Sequence, residues 1–289
     1  MTFNGSFNGI LNVGNTCYLN SAIQCFIHLP LSLSRQSCEN NEFLGLILEF
    51  CDKYFSQEKC DCRNLLKYLF KFQKDFHFLN LCDSQEALMY LLDLYHENTK
   101  SDWDSDVESL FFKNAPEYAI KEWKHYSPNY SLISLLLTFQ LEETLLCQKC
   151  SKIIQKRFPI FTQMDICSND LSLINDGIKK EYLEDYKCEQ CKETKCCYKV
   201  TNWFYFSDYM IFYNKRKNFF LKNDIKLFMV NENKNYEFEL VMSINHFANH
   251  YVCFIKNTDS EWIECDDYNV RNVKTPVVNT IYLYIFKKK

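Results

Sequence analysis

Two short cysteine pairs constrain this chain more than any other feature. Cys147-Gln-Lys-Cys150 and Cys188-Glu-Gln-Cys191 are separated by 37 residues. Each repeats the spacing with which one tight turn presents two thiolates to a metal. Two such turns complete a tetrahedral four-sulfur set with no open position, which predicts one structural zinc ion rather than a catalytic one. The N-terminal stretch lacks the basic-then-apolar pattern of an export signal. The sixteen cysteines are therefore expected to stay reduced, in a cytoplasmic or nuclear setting, and to serve metal binding, catalysis or packing. Cys196 and Cys197 lie close to the second pair, as substitute ligands or surface thiols. A redox role would need an isolated CxxC in a thioredoxin-like setting.

Composition narrows the class. Of 289 residues, 47% are hydrophobic and only five are Gly and five Pro, which excludes disordered, collagen-like and low-complexity chains. A net charge of −4 argues against a nucleic-acid partner; near the pairs, Lys149, Lys152, Lys156 and Arg157 are offset by Glu181, Glu184, Asp185, Glu189 and Glu193. No apolar run reaches the ~18 residues of a membrane span. Three textures follow one another: a helical region over 1–125, a Cys-, Lys- and Glu-rich region within 126–200, and strands over 201–289. Helical spacing predicts helices over 19–27 (ended by Pro30), 43–55 and 84–96. Aromatic and β-branched runs predict strands at 203–206, 210–213, 225–230, 238–244, 250–255, 262–265 and 280–286. Helices followed by an antiparallel sheet give an α+β fold.

Cys17 stands out among the thiols. It follows Gly9, Asn12, Gly14, Asn15 and Thr16, and in a chain with so few glycines, two within eight residues mark special backbone geometry. Asn15 and Thr16 offer a helix cap. Cys17 is thus expected at a helix N-terminus, where free N–H groups and the dipole depress a thiol pKa and can hold an oxyanion, with Asn12 as a further donor. The competing reading is a buried structural cysteine. A catalytic thiolate needs a base oriented by a third group. His28 and His96 fall on helices and His77 and His125 in polar stretches. His250 opens a strand whose hairpin partner, turned at Asn257–Ser260, ends at Asp266 and Asp267, so either carboxylate can reach its ring. His246 competes as the base. Asp83-Ser-Gln-Glu86 has the pattern of a capping box; alternatively, its two carboxylates clamp cationic side chains of a bound peptide.

Taken in order, these segments resemble the ubiquitin-specific protease family of papain-like cysteine deubiquitinases. The run from Gly9 through Cys17, Tyr18, Asn20 and Ser21 to Gln24 is similar to its cysteine box. Asp83 through His96 is similar to its acidic helix, the CxxC pairs to its zinc ribbon, and His250-Tyr251 through Asp266-Asp267 to its histidine box. The resemblance spans nearly the whole chain. It implies a helical thumb (1–125), zinc-ribbon fingers (126–200) and a palm sheet (201–289), acting as a monomer on ubiquitin or a ubiquitinated protein. It implies Cys17 as nucleophile, His250 as base, Asp266 as the third triad residue, Asp267 as its acidic helper and Asn12 in the oxyanion hole. Asp83 and Glu86 would hold arginines near the ubiquitin tail, Gln24 and Tyr251 would play supporting parts, and Cys147, Cys150, Cys188 and Cys191 would bind zinc. Four departures stand out. Asn249 replaces the usual Gly before the histidine, with tolerance of a left-handed φ as its rationale. Only Phe247, Ala248 and Asn249 separate His246 from His250, where a longer loop is usual. Phe139 stands where Gly is common, and Cys265 replaces an aromatic. The chain is also short for the family, so targeting is expected from partners or surface loops. A protease for another Gly-Gly modifier and a non-catalytic binding module remain alternatives.

Overall fold

Alternating burial in the C-terminal strands sets the layers. In the strand Tyr209–Tyr213, Tyr209, Ile211 and Tyr213 join one core while Met210 and Phe212 join another. In His250–Lys256, Tyr251, Cys253 and Ile255 face the first core, and Val252 and Phe254 the second. A period of two with both faces apolar requires cover on both sides. The computed structural model describes residues 6–33, 35–76, 80–112, 115–167, 171–214 and 220–289; His77 lies outside them.

An eight-stranded sheet runs Asn269–Val273, Trp262–Asp266, His250–Lys256, Lys234–Phe247, Ile281–Lys288, Tyr209–Tyr213 and Gln163–Asp165, with Asp224–Met229 also paired to Lys234–Phe247. All its pairings are antiparallel except that of Gln163–Asp165 with Tyr209–Tyr213. One face carries the helical layer. Its central helix, Cys17–His28, is buried from Cys17 through Ile27 because it packs on both the sheet and the helix Ser84–Thr99. Each large apolar side chain so buried contributes about 1.5–3 kcal/mol. The helix Glu42–Phe55, capped by the Asn41 side chain on the Leu44 amide (3.0 Å), completes the layer with Arg63–Phe72.

The second sheet is a ribbon of Phe139–Cys147 and Cys197–Tyr205, flanked by Ile153–Arg157 and Ile178–Leu183. Its register pairs Trp203 with Leu141 at the base and Cys197 with Cys147 at the tip. Phe139 begins this ribbon fully buried, its ring edge-on to Trp203. The aromatic thus roots the ribbon in the core on the second face of the eight-stranded sheet. The α+β architecture of helical layer, palm sheet and finger ribbon agrees with the sequence expectation. Among the described residues no helix is long and apolar enough to cross a membrane.

Candidate active site

The loop before Cys17 is held by its own polar groups. Asn12 Oδ1 accepts from the Gly14 amide (3.2 Å), the Thr16 amide (3.3 Å) and the Thr16 hydroxyl (3.2 Å), and Thr16 Oγ1 accepts from the Val13 amide (3.1 Å). Gly14 sits at φ 141, a region that favours glycine. Gly9 is needed for a different reason: a Cβ there would lie 2.0 Å from the Tyr268 carbonyl oxygen. Thr16 occupies the cap position of Cys17–His28, yet its side chain makes no capping bond. The cap expected of Thr16 is therefore not made, because its hydroxyl is committed to the loop. The first-turn amides stay available to other acceptors.

Asp267 clasps this loop to the strand that precedes it. Its carboxylate accepts from Asn12 Nδ2 (2.8 Å) and Asn20 Nδ2 (2.7 Å), and its carbonyl from the Ile10 amide (2.9 Å). Asp267 has φ 50, a left-handed conformation that Asp tolerates better than most residues. One residue earlier, Asp266 Oδ1 lies 2.7 Å from His250 Nε2. Pairing of Cys253 with Cys265 across the hairpin sets this meeting, and Asn257, whose Oδ1 accepts from the Asp259 and Glu261 amides (3.0 and 2.8 Å), closes its turn. With Nε2 donating to the carboxylate, the neutral imidazole presents the Nδ1 lone pair.

Cys17 is 5% exposed. Burial pushes its thiol pKa up, the Asp267 charge pushes the same way, and the amides of Tyr251, Tyr18 and Cys17 itself pull it down without prevailing. The expected depression is thus reversed: the helix terminus is present, but the sheet covers the sulfur. A resting thiol of this kind acts through a base that removes its proton during attack. The Tyr251 amide that faces the sulfur belongs to the residue after His250, which places Cys17 and His250 on adjoining stretches of backbone.

Cys17 opens into a cleft of about 240 Å³ lined also by Tyr18, Leu81, Asp83, His246 and Tyr251. His246 stacks on Tyr251, centroids 4.2 Å apart and planes 6° off parallel, so the competing histidine forms a wall of the cleft while His250 holds the carboxylate. Asp83 caps Ser84–Thr99 through the Gln85 amide (2.8 Å) and accepts a hydrogen bond from the Tyr282 hydroxyl, which in turn meets the Tyr213 hydroxyl at 2.7 Å. The capping half of the box is therefore realised. Glu86 is exposed, makes no return bond to the Asp83 amide, and stands outside the cleft lining. Gln24 accepts from Tyr54 and donates to the Asn8 carbonyl (2.7 and 2.9 Å), deep in the helical layer. The turn before His250 has two residues, with Phe247 paired to His250. Ala248 takes the left-handed conformation (φ 53), not Asn249, which corrects the rationale for that asparagine.

Among the described residues, the remaining histidines are structural or peripheral. His28 Nδ1 contacts the Gln24 carbonyl (2.8 Å), its ring stacks on Phe7, and burial lowers its pKa to about 4. His96 Nδ1 meets Ser131 Oγ (2.7 Å).

At the finger tip the two cysteine pairs face each other. The Cys147 amide donates to the Lys152 carbonyl (3.0 Å) and the Cys188 amide to the Glu193 carbonyl (2.9 Å), the same turn built twice. Ser151 (φ 55) and Lys192 (φ 60), each directly after the second cysteine, are both left-handed. Sulfurs of Cys147, Cys150, Cys188 and Cys191 all lie within 4.8 Å of one another, with Cys147–Cys191 at 3.6 Å and Cys150–Cys188 at 3.8 Å. A tetrahedral ion with metal–sulfur bonds of about 2.3 Å separates its sulfurs by about 3.8 Å. The donor set therefore fits a four-coordinate thiophilic metal.

A family model described as ubiquitin carboxyl-terminal hydrolase matches residues 8–286. The chain belongs to this family. It is thereby a cysteine-type ubiquitin hydrolase. No curated protein matches it significantly. Among solved structures it is similar to the SAGA DUB module Ubp8/Sgf11/Sus1/Sgf73 bound to monoubiquitin, and to the same module bound to ubiquitin aldehyde. Both have a TM-score of 0.74 and 17% identity, covering 100% of this chain and 70% or 71% of the other. A yeast SAGA DUB module carrying an Sgf73 mutant gives a TM-score of 0.71 at 17% identity, over 100% and 70%. At that identity the likeness establishes the fold. Within this ubiquitin hydrolase, two contributions to the site escape a sequence reading. Asn20 is a buried amide on a helix packed on both sides, a signal that it must be bonded. Tyr282 lies in a strand of alternating tyrosines and carries no such mark.

Proposed function

We propose that this ubiquitin hydrolase cleaves the isopeptide or peptide bond after the terminal glycine of ubiquitin, using Cys17. The observation that carries the reading is the His250–Asp266 pair, which leaves Nδ1 as the basic nitrogen on the strand whose next amide, Tyr251, faces the Cys17 sulfur. His250 Nδ1 takes the thiol proton as sulfur attacks the glycine carbonyl, then gives it to the leaving amine. It next activates water, which releases the thioester. Asp266 holds the tautomer and stabilises the imidazolium. Asn12 Nδ2 has two hydrogens; Asp267 accepts one and so aims the other, with the uncapped first-turn amides, at the developing oxyanion. Asp267 is thus a positioning residue.

The cleft suits a Gly-Gly tail because Tyr18, Tyr251 and His246 narrow it. Asp83 in its wall and Glu86 one turn on offer carboxylates to basic residues of the tail. The two-residue turn at Ala248 replaces a loop that could overhang the channel, so substrate enters without waiting for that gate. Cys147, Cys150, Cys188 and Cys191 would hold one zinc ion, which stiffens the finger tip and takes no part in the chemistry.

The test is hydrolysis of ubiquitin carrying a fluorogenic C-terminal amide by the wild type, Cys17→Ala and His250→Ala, with other Gly-Gly-tailed modifiers in parallel. Turnover by the wild type alone is expected, with ubiquitin preferred. Binding without turnover, or a clear preference for another modifier, overturns the reading.

A further inference from the structure

The finger tip holds more sulfur than one tetrahedral ion needs. Cys196 Sγ lies 3.5 Å from Cys147 Sγ and 4.0 Å from Cys197 Sγ, and the three sulfurs are mutually within 4.8 Å. These separations bracket the roughly 3.8 Å between sulfurs that share one metal ion. The placement is built by backbone. Lys195 turns the chain through a left-handed conformation (φ 58), and the Gln148 amide donates to the Cys196 carbonyl (2.8 Å), fastening this segment to the first cysteine turn. Cys197 then pairs with Cys147 as the first rung of the ribbon. Cys147 and Cys197 are buried and Cys196 is half-buried, so the trio is closed on the protein side and reachable from solvent at one corner. Among the described residues no histidine or carboxylate joins it.

We propose that Cys147, Cys196 and Cys197 form a second metal site, with Cys147 bridging to the ion of the four-cysteine set. Three sulfurs without a fourth side-chain ligand suit a soft, closed-shell monovalent cation of the Cu(I) class better than zinc, which is held structurally by four ligands. Binding displaces the thiol protons of Cys196 and Cys197. Two sulfur–metal bonds form in their place, Cys147 contributes a second lone pair, and no electron is transferred. The inference rests on the zinc reading only in taking Cys147 as already a thiolate.

Native mass spectrometry of the reduced full chain tests it. The first spectrum, before copper, counts zinc: one ion per chain is expected, and its absence would sink the zinc reading and the bridge through Cys147, leaving the three-sulfur site to the copper step. Cu(I), supplied as its acetonitrile complex, is then added to one equivalent. The expected product is the chain with one zinc and one copper, with three sulfur neighbours at the copper X-ray absorption edge. The Cys196→Ser/Cys197→Ser double variant is expected to keep its zinc, which reports intact fingers, and to take up at least tenfold less copper. Copper replacing zinc one for one, or equal copper uptake by the double variant, overturns the proposal. If zinc is absent from the start, copper uptake that still depends on Cys196 and Cys197 supports the three-sulfur site.

Discussion

Asp267→Asn separates two effects that the site combines. The aspartate accepts from Asn12 and Asn20 at 2.8 and 2.7 Å. An asparagine offers one acceptor oxygen, so one partner must meet an NH₂ group donor to donor. Hydrogen bonds to a charged acceptor contribute about 1.5–3 kcal/mol and neutral ones about 1 kcal/mol. Asn12 is exposed and can turn to water, so the loss centres on buried Asn20. Exchanging its charged bond for a neutral one lowers stability by about 0.5–2 kcal/mol. Backbone strain is unchanged, because Asn accepts φ near 50 as readily as Asp. The second effect is electrostatic. Asp267 raises the Cys17 pKa, so removing the charge lowers it. Alkylation of Cys17 by iodoacetamide, followed against pH and mapped by mass spectrometry, is expected to shift its midpoint to lower pH. Turnover nonetheless falls by about 10²-fold, the order of losing one oxyanion donor, because the Asn12 amide is no longer aimed. A more reactive thiol in a slower enzyme is the signature. An alkylation midpoint that stays or rises, or full turnover, would refute the reasoning.

Three further outcomes follow from other parts of the fold. His28 has a pKa lowered by burial to about 4 from 6.5, so the unfolded chain binds its proton first on acidification. Stability is therefore complete above the unfolded value and falls by about 2 kcal/mol between pH 7 and pH 5; urea melts at the two pH values should show this, and His28→Leu should flatten it. Ala248→Gly removes a Cβ at φ 53 and should raise stability by up to about 1 kcal/mol in thermal melts, with turnover retained. Stripping the proposed zinc ion with a chelator, or Cys188→Ser, should open the finger tip, residues 145–154 and 183–198, to limited proteolysis while the eight-stranded sheet stays resistant, since the tip has little core of its own.

What the sequence disclosed depended on how local the signal was. The cysteine turns were legible because CxxC spacing is itself the geometry, and the His250–Asp266 pair because hairpin arithmetic places strand ends opposite each other. The helix at Cys17 was legible too, but its thiol pKa was not: a helix terminus is written in five residues, whereas the burial that overrides it depends on packing against the C-terminal sheet, more than two hundred positions away. Thr16 misled for a similar reason. Its hydroxyl had two possible partners, and the tight ring around Asn12 won over the helix amides. Asp83 took the cap position and also lies in the cleft wall, while Glu86 was placed in neither the capping bond nor the lining. The left-handed residue of the turn before His250 fell on Ala248, one position from the asparagine that propensity favours, because hairpin register outranks single-residue preference.

The central claim is that Cys17 is the atom that attacks the ubiquitin terminus. Incubating the reduced protein with ubiquitin bearing a C-terminal electrophile, then mapping the adduct by peptide mass spectrometry, tests it directly. The account predicts one adduct per chain, on Cys17, lost in Cys17→Ala and slowed in His250→Ala. An unlabelled folded wild type, or labelling at another of the cysteines that survives Cys17→Ala, would contradict it.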